Sequence, residues 1–287
     1  MPLLPLPKII IEPLVRAALC EDLGRAGDIT TDAIVPPALA ARAVLRARDK
    51  GIVAGLEFAK LAFELADPKI SLQTGIEDGG SVAAGSVIAS VIGPARGILT
   101  AERTALNFLC RLSGIATATA SLVAAVKGSK ARIVCTRKTT PGLRAAEKYA
   151  VRAGGGGNHR FGLDDAILIK DNHIAIAGGI TQALRRARAA AGHLVKIEVE
   201  IEDPGQLAEA LAEGADAVLL DNMSLDMLAR AVALARGRAI TEASGRVTSA
   251  SARAIAATGV DLISAGWLTH SAPALDIGLD VEVRAKG

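Results

Sequence analysis

Residues 136–174 read TRKTTPGLRAAEKYAVRAGGGGNHRFGLDDAILIKDNHI. The stretch carries Arg137, Lys138, Arg144, Lys148, Arg152, His159, Arg160 and Lys170, with Gly154, Gly155, Gly156 and Gly157 at its centre. Cations set this close repel one another unless they spread into solvent or gather around an anion. The glycines favour gathering, because backbone without Cβ can approach a ligand closely and take positive φ. A solvated basic helix followed by a flexible loop is the alternative. The setting argues against it, because the helical run 143–153 lies between two β-rich runs, 133–136 and 166–170. The cations therefore sit beside predicted strand ends in one strand–helix–strand unit.

Outward from this unit the pattern repeats. Six apolar, β-rich runs, at 133–136, 166–170, 195–201, 217–220, 239–243 and 262–265, alternate with alanine-rich helical runs. The helical runs include 143–153, 181–191, 204–213, 225–236 and 249–258. Alternation at this spacing predicts parallel strands joined by right-handed crossovers. The last four strands recur about every 22 residues, a spacing tight enough for barrel units, but six units fall short of the eight of a closed barrel. The expectation is an open, irregular α/β barrel, with a doubly wound open sheet as the alternative.

Before residue 132 the organisation differs. Residues 9–24 place Ile10, Leu14, Ala17 and Ala18 at helical spacing, with Gly24 as a stop. GDITTDAIVP (27–36) reads as a turn with cap-type Asp28, Thr30 and Thr31. Residues 41–48 read as a strand and 56–65 as a short helix. Residues 70–99 read as short strands divided by Gly75, Gly79, Gly80, Gly85 and Gly93-Pro94. Residues 100–127 are helical apart from the Ser113-Gly114 pair, with Leu106 and Leu109 inward and Arg103 and Asn107 one turn apart.

Composition narrows the function classes. With 51% apolar and 22% charged residues among 287, the chain is globular and not disordered. A net charge of +3 and 2% aromatic residues do not fit a nucleic-acid binder, so any anion specificity is local. Cys20, Cys110 and Cys135 are widely spaced and form no CxxC pair, as expected of reduced thiols and not of a disulfide frame or zinc site. MPLLPLPKIIIEPL at the start is broken by four prolines and lacks a basic n-region. Neither a signal peptide nor an uninterrupted apolar run of membrane-spanning length is read from the sequence, and a soluble, cytoplasmic protein is expected.

In parallel α/β folds ligands bind at the carboxyl ends of the strands. Here the first strand ends in Arg137-Lys138 and the second in Lys170-Asp171-Asn172-His173. The third carries Glu200, the fourth Asp221-Asn222, the fifth Ser244-Gly245 and the sixth Ser264-Ala265-Gly266. Cations suit a small ligand with carboxylates, which arginine grips bidentately. Two carboxylates from neighbouring strands suit sugar hydroxyls or a magnesium ion carried by phosphates. Ser-Gly turns opening onto helices suit a phosphate. Together they describe a site for a phosphorylated sugar beside a polyanionic small molecule. Glu198 shares a strand face with Glu200, and Glu200, nearer the carboxyl end, is the expected functional one. His159 is expected to serve the anion loop, His173 to orient a loop, and His193 to end a helix in solvent. His270 divides between capping and phosphate contact, while Trp267 and Tyr149 are expected to pack.

These residues carry a family resemblance. TRKTTPGLR, EKYAVRAGGGGNHRFGL and ILIKDNHI resemble the signature of the quinolinate phosphoribosyltransferases, the carboxylating nicotinate-nucleotide pyrophosphorylases of NAD synthesis. The similarity extends to EDLGRAGDITTDAIVP, TAERTALNFLCRLSGIAT, VEIE, VLLDN, EASG and ISAGWLTHSAPALDIGL, and so covers nearly the whole chain. It implies an N-terminal α/β sandwich domain at 1–113, joined by the tail 271–287, and an open barrel at 114–270. It also implies a homodimer or higher oligomer, with Arg103 reaching the neighbouring subunit's site. Arg137, Arg160 and Lys170, with Lys138 and His159, would bind the carboxylates of quinolinate. Lys138 and Lys170 would also touch phosphates. Glu200 and Asp221 would hold the ribose hydroxyls and the Mg2+ of phosphoribosyl pyrophosphate, which with Lys138 makes them the expected catalytic group. Ser244, Gly245, Ser264 and Gly266 would cradle the 5′-phosphate. Arg246 departs from the pattern, which usually has a second glycine there; its backbone N–H can still serve, and its charge can add a phosphate contact or block one. A relative of the same scaffold linked to molybdate-transport operons is one alternative. A non-catalytic phosphosugar- or dicarboxylate-binding protein is another.

Overall fold

A computed structural model describes residues 3–282. In chain order its elements begin with α1 (Lys8–Leu23), α2 (Ile29–Ile34), β1 (Ala40–Ala47), β2 (Gly51–Ile52), α3 (Leu56–Ala66), β3 (Ser71–Thr74), β4 (Ser81–Val82) and β5 (Val87–Pro94). They continue with α4 (Ala95–Ala125), β6 (Arg132–Val134), α5 (Arg144–Ala153), β7 (Ile167–Ile169), α6 (Asp171–Ala177), α7 (Ile180–Ala190), β8 (Ile197–Ile201) and α8 (Pro204–Ala212). The last are β9 (Ala217–Asp221), α9 (Leu225–Ala235), β10 (Ile240–Ser244), α10 (Ser249–Ala257), β11 (Leu262–Ser264), α11 (Trp267–His270) and β12 (Ile277–Glu282). The chain forms two compact units. One gathers the chain up to Ala120, Thr139–Gly155 and the chain from Thr269 onward; the other holds Ser121–Lys138 and Gly156–Leu268.

The first unit is an antiparallel sheet, ordered β12-β1-β5-β3, layered with helices. Strand β1 buries Ala41, Ala43, Leu45 and Ala47 at the period of two that a sheet with one core face requires. Helix α3 buries Phe58, Leu61 and Phe63, and Phe58 stacks on Phe108 of α4 with ring centroids 5.1 Å apart. GDITTDAIVP forms more than a turn. Asp28 caps the short α2 by accepting the Thr31 N–H at 2.9 Å, and its carboxylate also receives Thr100 Oγ1 at 3.1 Å. These bonds, the Thr31 side-chain bond foremost, hold the Asp28 pKa below its usual value.

Helix α4 starts at Ala95, five residues before the expected helix, and runs unbroken through Ser113-Gly114. That pair is a contact point and not a break. Ser113 Oγ bonds the N–H and carbonyl of Ala54, and a Cβ on Gly114 would collide with the Pro273 carbonyl. By length and apolarity alone α4 could cross a membrane, but Ile98, Ala101, Ala105, Leu109, Leu112 and Ile115 are fully buried, as in a core helix.

The second unit is a six-stranded parallel sheet ordered β6-β11-β10-β9-β8-β7. Every strand pairs with its successor in sequence except the first with the second, so the barrel is open between β6 and β7. Gly157 borders that gap, bridging to Val134 on the free edge of β6. Expected strands and observed strands agree within three residues at every end. The sequence reading did not name α6, α11 or β12; α6 was passed over because DNHIAIA follows a strand so closely that it read as its polar end.

Candidate active site

The barrel strands alternate, and that alternation builds the site. On β8, Ile197, Val199 and Ile201 are buried on one face while Glu198 and Glu200 point to the other. The same rule puts Leu219 with Asp221 on β9, Glu242 with Ser244 on β10, and Leu168 with Lys170 at the end of β7. Register then aligns them: Glu200 pairs with Leu219, Leu219 with Glu242, and Asp221 with Ser244 one step nearer the carboxyl ends. A cavity of about 420 Å³ opens at this end. Its wall includes Arg137, Lys138, His159, Arg160, Lys170, Glu200, Asp221, Ser244 and Ser264, all expected from sequence.

Thr136, Leu168, Leu219 and Glu242 complete the lining and were not singled out from the sequence. Glu242 could have been found by its signal, a carboxylate two residues before Ser244 and so on the same strand face. Gly245, Arg246 and Gly266 follow the lining serines without lining the cavity themselves. Arg103 belongs to the first unit, exposed on α4 beside Asp28, Ile29 and Thr100. A larger cavity of about 550 Å³ lies at the amino ends of the same strands. There Lys130 pairs with Asp261 and Lys196 with Asp216, each at 2.7 Å, and no strand presents its carboxyl end.

The glycines of residues 154–157 serve the backbone. Gly154 ends α5, where a Cβ would collide with the Ala116 carbonyl, and Gly155 takes φ +84°. Gly157 donates to Ile133 O at 2.8 Å and accepts from Cys135 N–H at 3.2 Å. None of the four lines the cavity. Of the eight cations in the opening stretch, Arg144, Lys148 and Arg152 ride α5 in the first unit, and five line the cavity.

Two arginines of the cationic wall keep a guanidinium nitrogen without a protein acceptor. Arg137 Nε and Arg160 Nε are buried without a hydrogen-bond partner, and Arg160 Nη1 donates to Ala166 O at 3.1 Å. Burial, then the neighbouring Arg137 charge, lowers the Arg160 pKa. Such donors are satisfied by an anion entering the cavity. Lys170 Nζ meets Glu200 Oε2 at 2.7 Å, and His173 Nδ1 accepts the Lys170 N–H at 3.0 Å, fixing the start of α6. Asp221 Oδ2 accepts from Asn222 Nδ2 at 2.6 Å. Glu200 and Asp221 thus stand a strand apart as oxygen donors, the chemistry a hard divalent cation takes.

Below them His159 Nε2 lies 2.9 Å from Glu198 Oε2 and 3.6 Å from Glu242 Oε1. Burial first, and the Glu198 charge second, push the Glu242 pKa up to about 7. After β10, Gly245 and Arg246 take φ +103° and +43° before Thr248 caps α10, and Trp267 Nε1 holds this turn through Val247 O at 2.8 Å. Trp267 and Tyr149, whose hydroxyl donates to Asp78 at 2.7 Å, pack as expected. His193 is exposed, and His270 bonds the Ser271 hydroxyl outside the cavity.

Comparison with known proteins agrees with this geometry. Models of the N-terminal and C-terminal domains of quinolinate phosphoribosyl transferase match residues 28–113 and 115–280. A probable nicotinate-nucleotide pyrophosphorylase [carboxylating] of Bacillus subtilis is 47% identical over 94% of this chain and 93% of its own length. The Mycobacterium leprae nicotinate-nucleotide pyrophosphorylase [carboxylating] is 46% identical over 93% and 95%. A solved structure of the nicotinate-nucleotide pyrophosphorylase of Francisella tularensis superimposes with a TM-score of 0.93, at 42% identity over 97% of this chain and 98% of that one. With both halves matched and the polar strand ends gathered in one mouth, the chain belongs to the quinolinate phosphoribosyltransferase family.

Proposed function

We propose that this chain transfers the phosphoribosyl group of phosphoribosyl pyrophosphate to the ring nitrogen of quinolinate and then releases the 2-carboxylate as CO2. The products are nicotinate mononucleotide and pyrophosphate, in the de novo route to NAD. The observation that carries this reading is one cavity lined by Arg137 and Arg160, each with a buried Nε that has no hydrogen-bond partner, together with Glu200 and Asp221. Arg137, Arg160, Lys138 and Lys170 hold two polyanions side by side, which supplies the positioning part of catalysis. Departure of pyrophosphate leaves positive charge on the ribose, which Glu200 and Asp221 stabilise electrostatically. The same two carboxylates are the residues that would hold Mg2+ brought in by the pyrophosphate, where the ion neutralises the leaving group. Lys170 leaves its ion pair with Glu200 to meet the incoming anion. The pyridinium formed by transfer accepts the electrons that CO2 leaves at C2, and that carbon then takes up one proton.

The Ser244–Arg246 turn and Ser264 with Gly266 receive the 5′-phosphate. Arg103 serves the site of a second copy in a homodimer or larger assembly, and the enzyme works in the cytoplasm. The test combines purified protein, quinolinate, phosphoribosyl pyrophosphate and Mg2+, and follows nicotinate mononucleotide and CO2. Both are expected in equal amounts, with no product when nicotinate is the acceptor. Arg137→Ala is expected to lose at least about 30-fold in kcat/KM, in line with a buried charged contact worth 2–5 kcal/mol, while melting as wild type does. Silence from a folded wild-type protein that still binds the pyrophosphate sugar would favour a binding role instead.

A further inference from the structure

The proposed reaction uses the carboxyl mouth of the barrel, and the larger cavity at the amino ends has no part in it. That cavity lies wholly within the second unit. Asp216 stands directly before β9 and Asp261 directly before β11, the two strands that flank β10. Asp216 accepts Lys196 Nζ at 2.7 Å and the Ile197 N–H at 3.0 Å, and lies 3.9 Å from Arg188 Nη2. Asp261 accepts Lys130 Nζ at 2.7 Å, the Thr241 N–H at 2.9 Å and the Thr241 hydroxyl at 2.8 Å. Both acids are thus engaged with strand starts and with a lysine each. Two further cations line the same cavity. Arg236 and Arg238 follow α9 in a tight turn, with Arg236 at φ −54° and ψ 122°, Gly237 at φ +72°, and Ala235 O accepting the Arg238 N–H at 2.9 Å. This is a type II turn, which calls for glycine at its third residue. Among the described residues neither arginine side chain makes a hydrogen bond or an ion pair. The lining therefore carries Lys130, Lys196, Arg236 and Arg238 against two carboxylates, in a chain whose net charge is only +3. A local excess of one sign in a concave surface draws an anion of several charges.

We propose that this cavity is a second anion site, separate from the mouth, that takes the phosphate chain of a small polyphosphate. The layout of the charge selects the ligand. The two lysine–aspartate pairs stand on strands two spacings apart, about 10 Å, with the start of β10 between them. A lysine ammonium has three donors, and each lysine here gives one to its aspartate, so donors remain for a ligand. A single carboxylate or orthophosphate meets one pair at a time. A chain of two or three phosphates reaches from one pair to the other past Arg236 and Arg238, whose forks suit phosphate oxygens. Pyrophosphate, tripolyphosphate and a nucleotide share that chain. The inference uses nothing of the reaction assigned above.

Calorimetry of the full chain without Mg2+ tests the site, with tripolyphosphate as the probe. In Arg137→Ala, whose mouth is weakened, one tripolyphosphate per chain is expected to bind. Adding Arg236→Gln and Arg238→Gln is expected to raise its Kd at least tenfold. No binding by Arg137→Ala places all the affinity in the mouth and overturns the proposal, as does a Kd unchanged by the loss of both arginines. Orthophosphate is expected to bind at least tenfold more weakly than tripolyphosphate, and equal affinity overturns the polyphosphate assignment. ATP and tripolyphosphate are expected to bind alike, whereas ATP binding without tripolyphosphate binding puts recognition in the nucleoside and overturns it too. A footprint on the wild type needs no variant. The amide resonances of Gly237 and Gly259 are expected to move with tripolyphosphate, and shifts confined to Gly245 and Gly266 count against the site. That reading holds even if the arginine variants fail to fold. A protein that binds tripolyphosphate here and makes no nicotinate mononucleotide overturns the reaction assigned above and leaves this site in place.

Discussion

At the scale of single residues the site is a balance of buried charges. Glu242 is almost wholly buried, and its carboxyl holds a proton up to about pH 7, burial being the larger cause and Glu198 the second. The unfolded chain releases that proton near the ordinary glutamate value of 4.5. Between those two values the folded state binds a proton that the unfolded state does not, so stability falls as pH rises through the window. The contribution is complete below the lower value and gone above the upper one. Glu242→Gln removes the titration and keeps the shape. Wild type is therefore expected to lose stability relative to Glu242→Gln between pH 4.5 and 7, by roughly 3 kcal/mol at most. Denaturant melts of the two proteins at pH 5, 6 and 7.5 measure the difference, and parallel curves would show that the proton is not held there.

At the scale of elements, Arg246 shows what the sequence could and could not disclose. Its departure from the family's usual glycine was visible in the sequence, but the reason for glycine there was not. Arg246 sits at φ +43°, directly after Gly245 at +103°, where a Cβ would collide with the Asn222 amide. Left-handed backbone costs an ordinary residue on the order of 1 kcal/mol. Arg246→Gly is therefore expected to leave stability unchanged or raise it by up to about 1 kcal/mol. Thermal melts check this, and a clear loss would mean that the side chain makes a contact worth more than the strain. The strand–helix repeat was legible because alternating periods of two and 3.6 need no tertiary knowledge. The start of α4 was not, since Gly93-Pro94 reads as a break while Ala95 opens a helix directly from β5. Glu200 and Asp221 were legible from their place near strand ends. Glu242 left a signal two residues before Ser244, but its role was not legible, because that role depends on His159 and Glu198, which reach it only through the folded register.

At the scale of the whole molecule, the placement of Arg103 bears on how a complete site is made. Arg103 and Asn107 are exposed one turn apart on α4, a helix whose other faces are buried. Among the described residues Arg103 makes no ion pair, and Lys138 belongs to the other compact unit. If Arg103 completes the cavity of a second copy, a site needs Arg103 from one chain and Lys138 from the other. Arg103→Ala and Lys138→Ala homodimers are then each inactive. Mixing them in equal amounts with subunit exchange makes about half of the dimers mixed, as expected for symmetric two-chain assembly. In each mixed dimer one site carries both substitutions and the other carries neither. Activity is expected to return to about a quarter of the wild-type value, a limit set by counting sites and independent of the rate of each. The measurement is product formation before and after exchange at equal total protein. Recovery to that level requires sharing across the interface, whereas a mixture that stays as inactive as its parents places Arg103 with the cavity of its own chain.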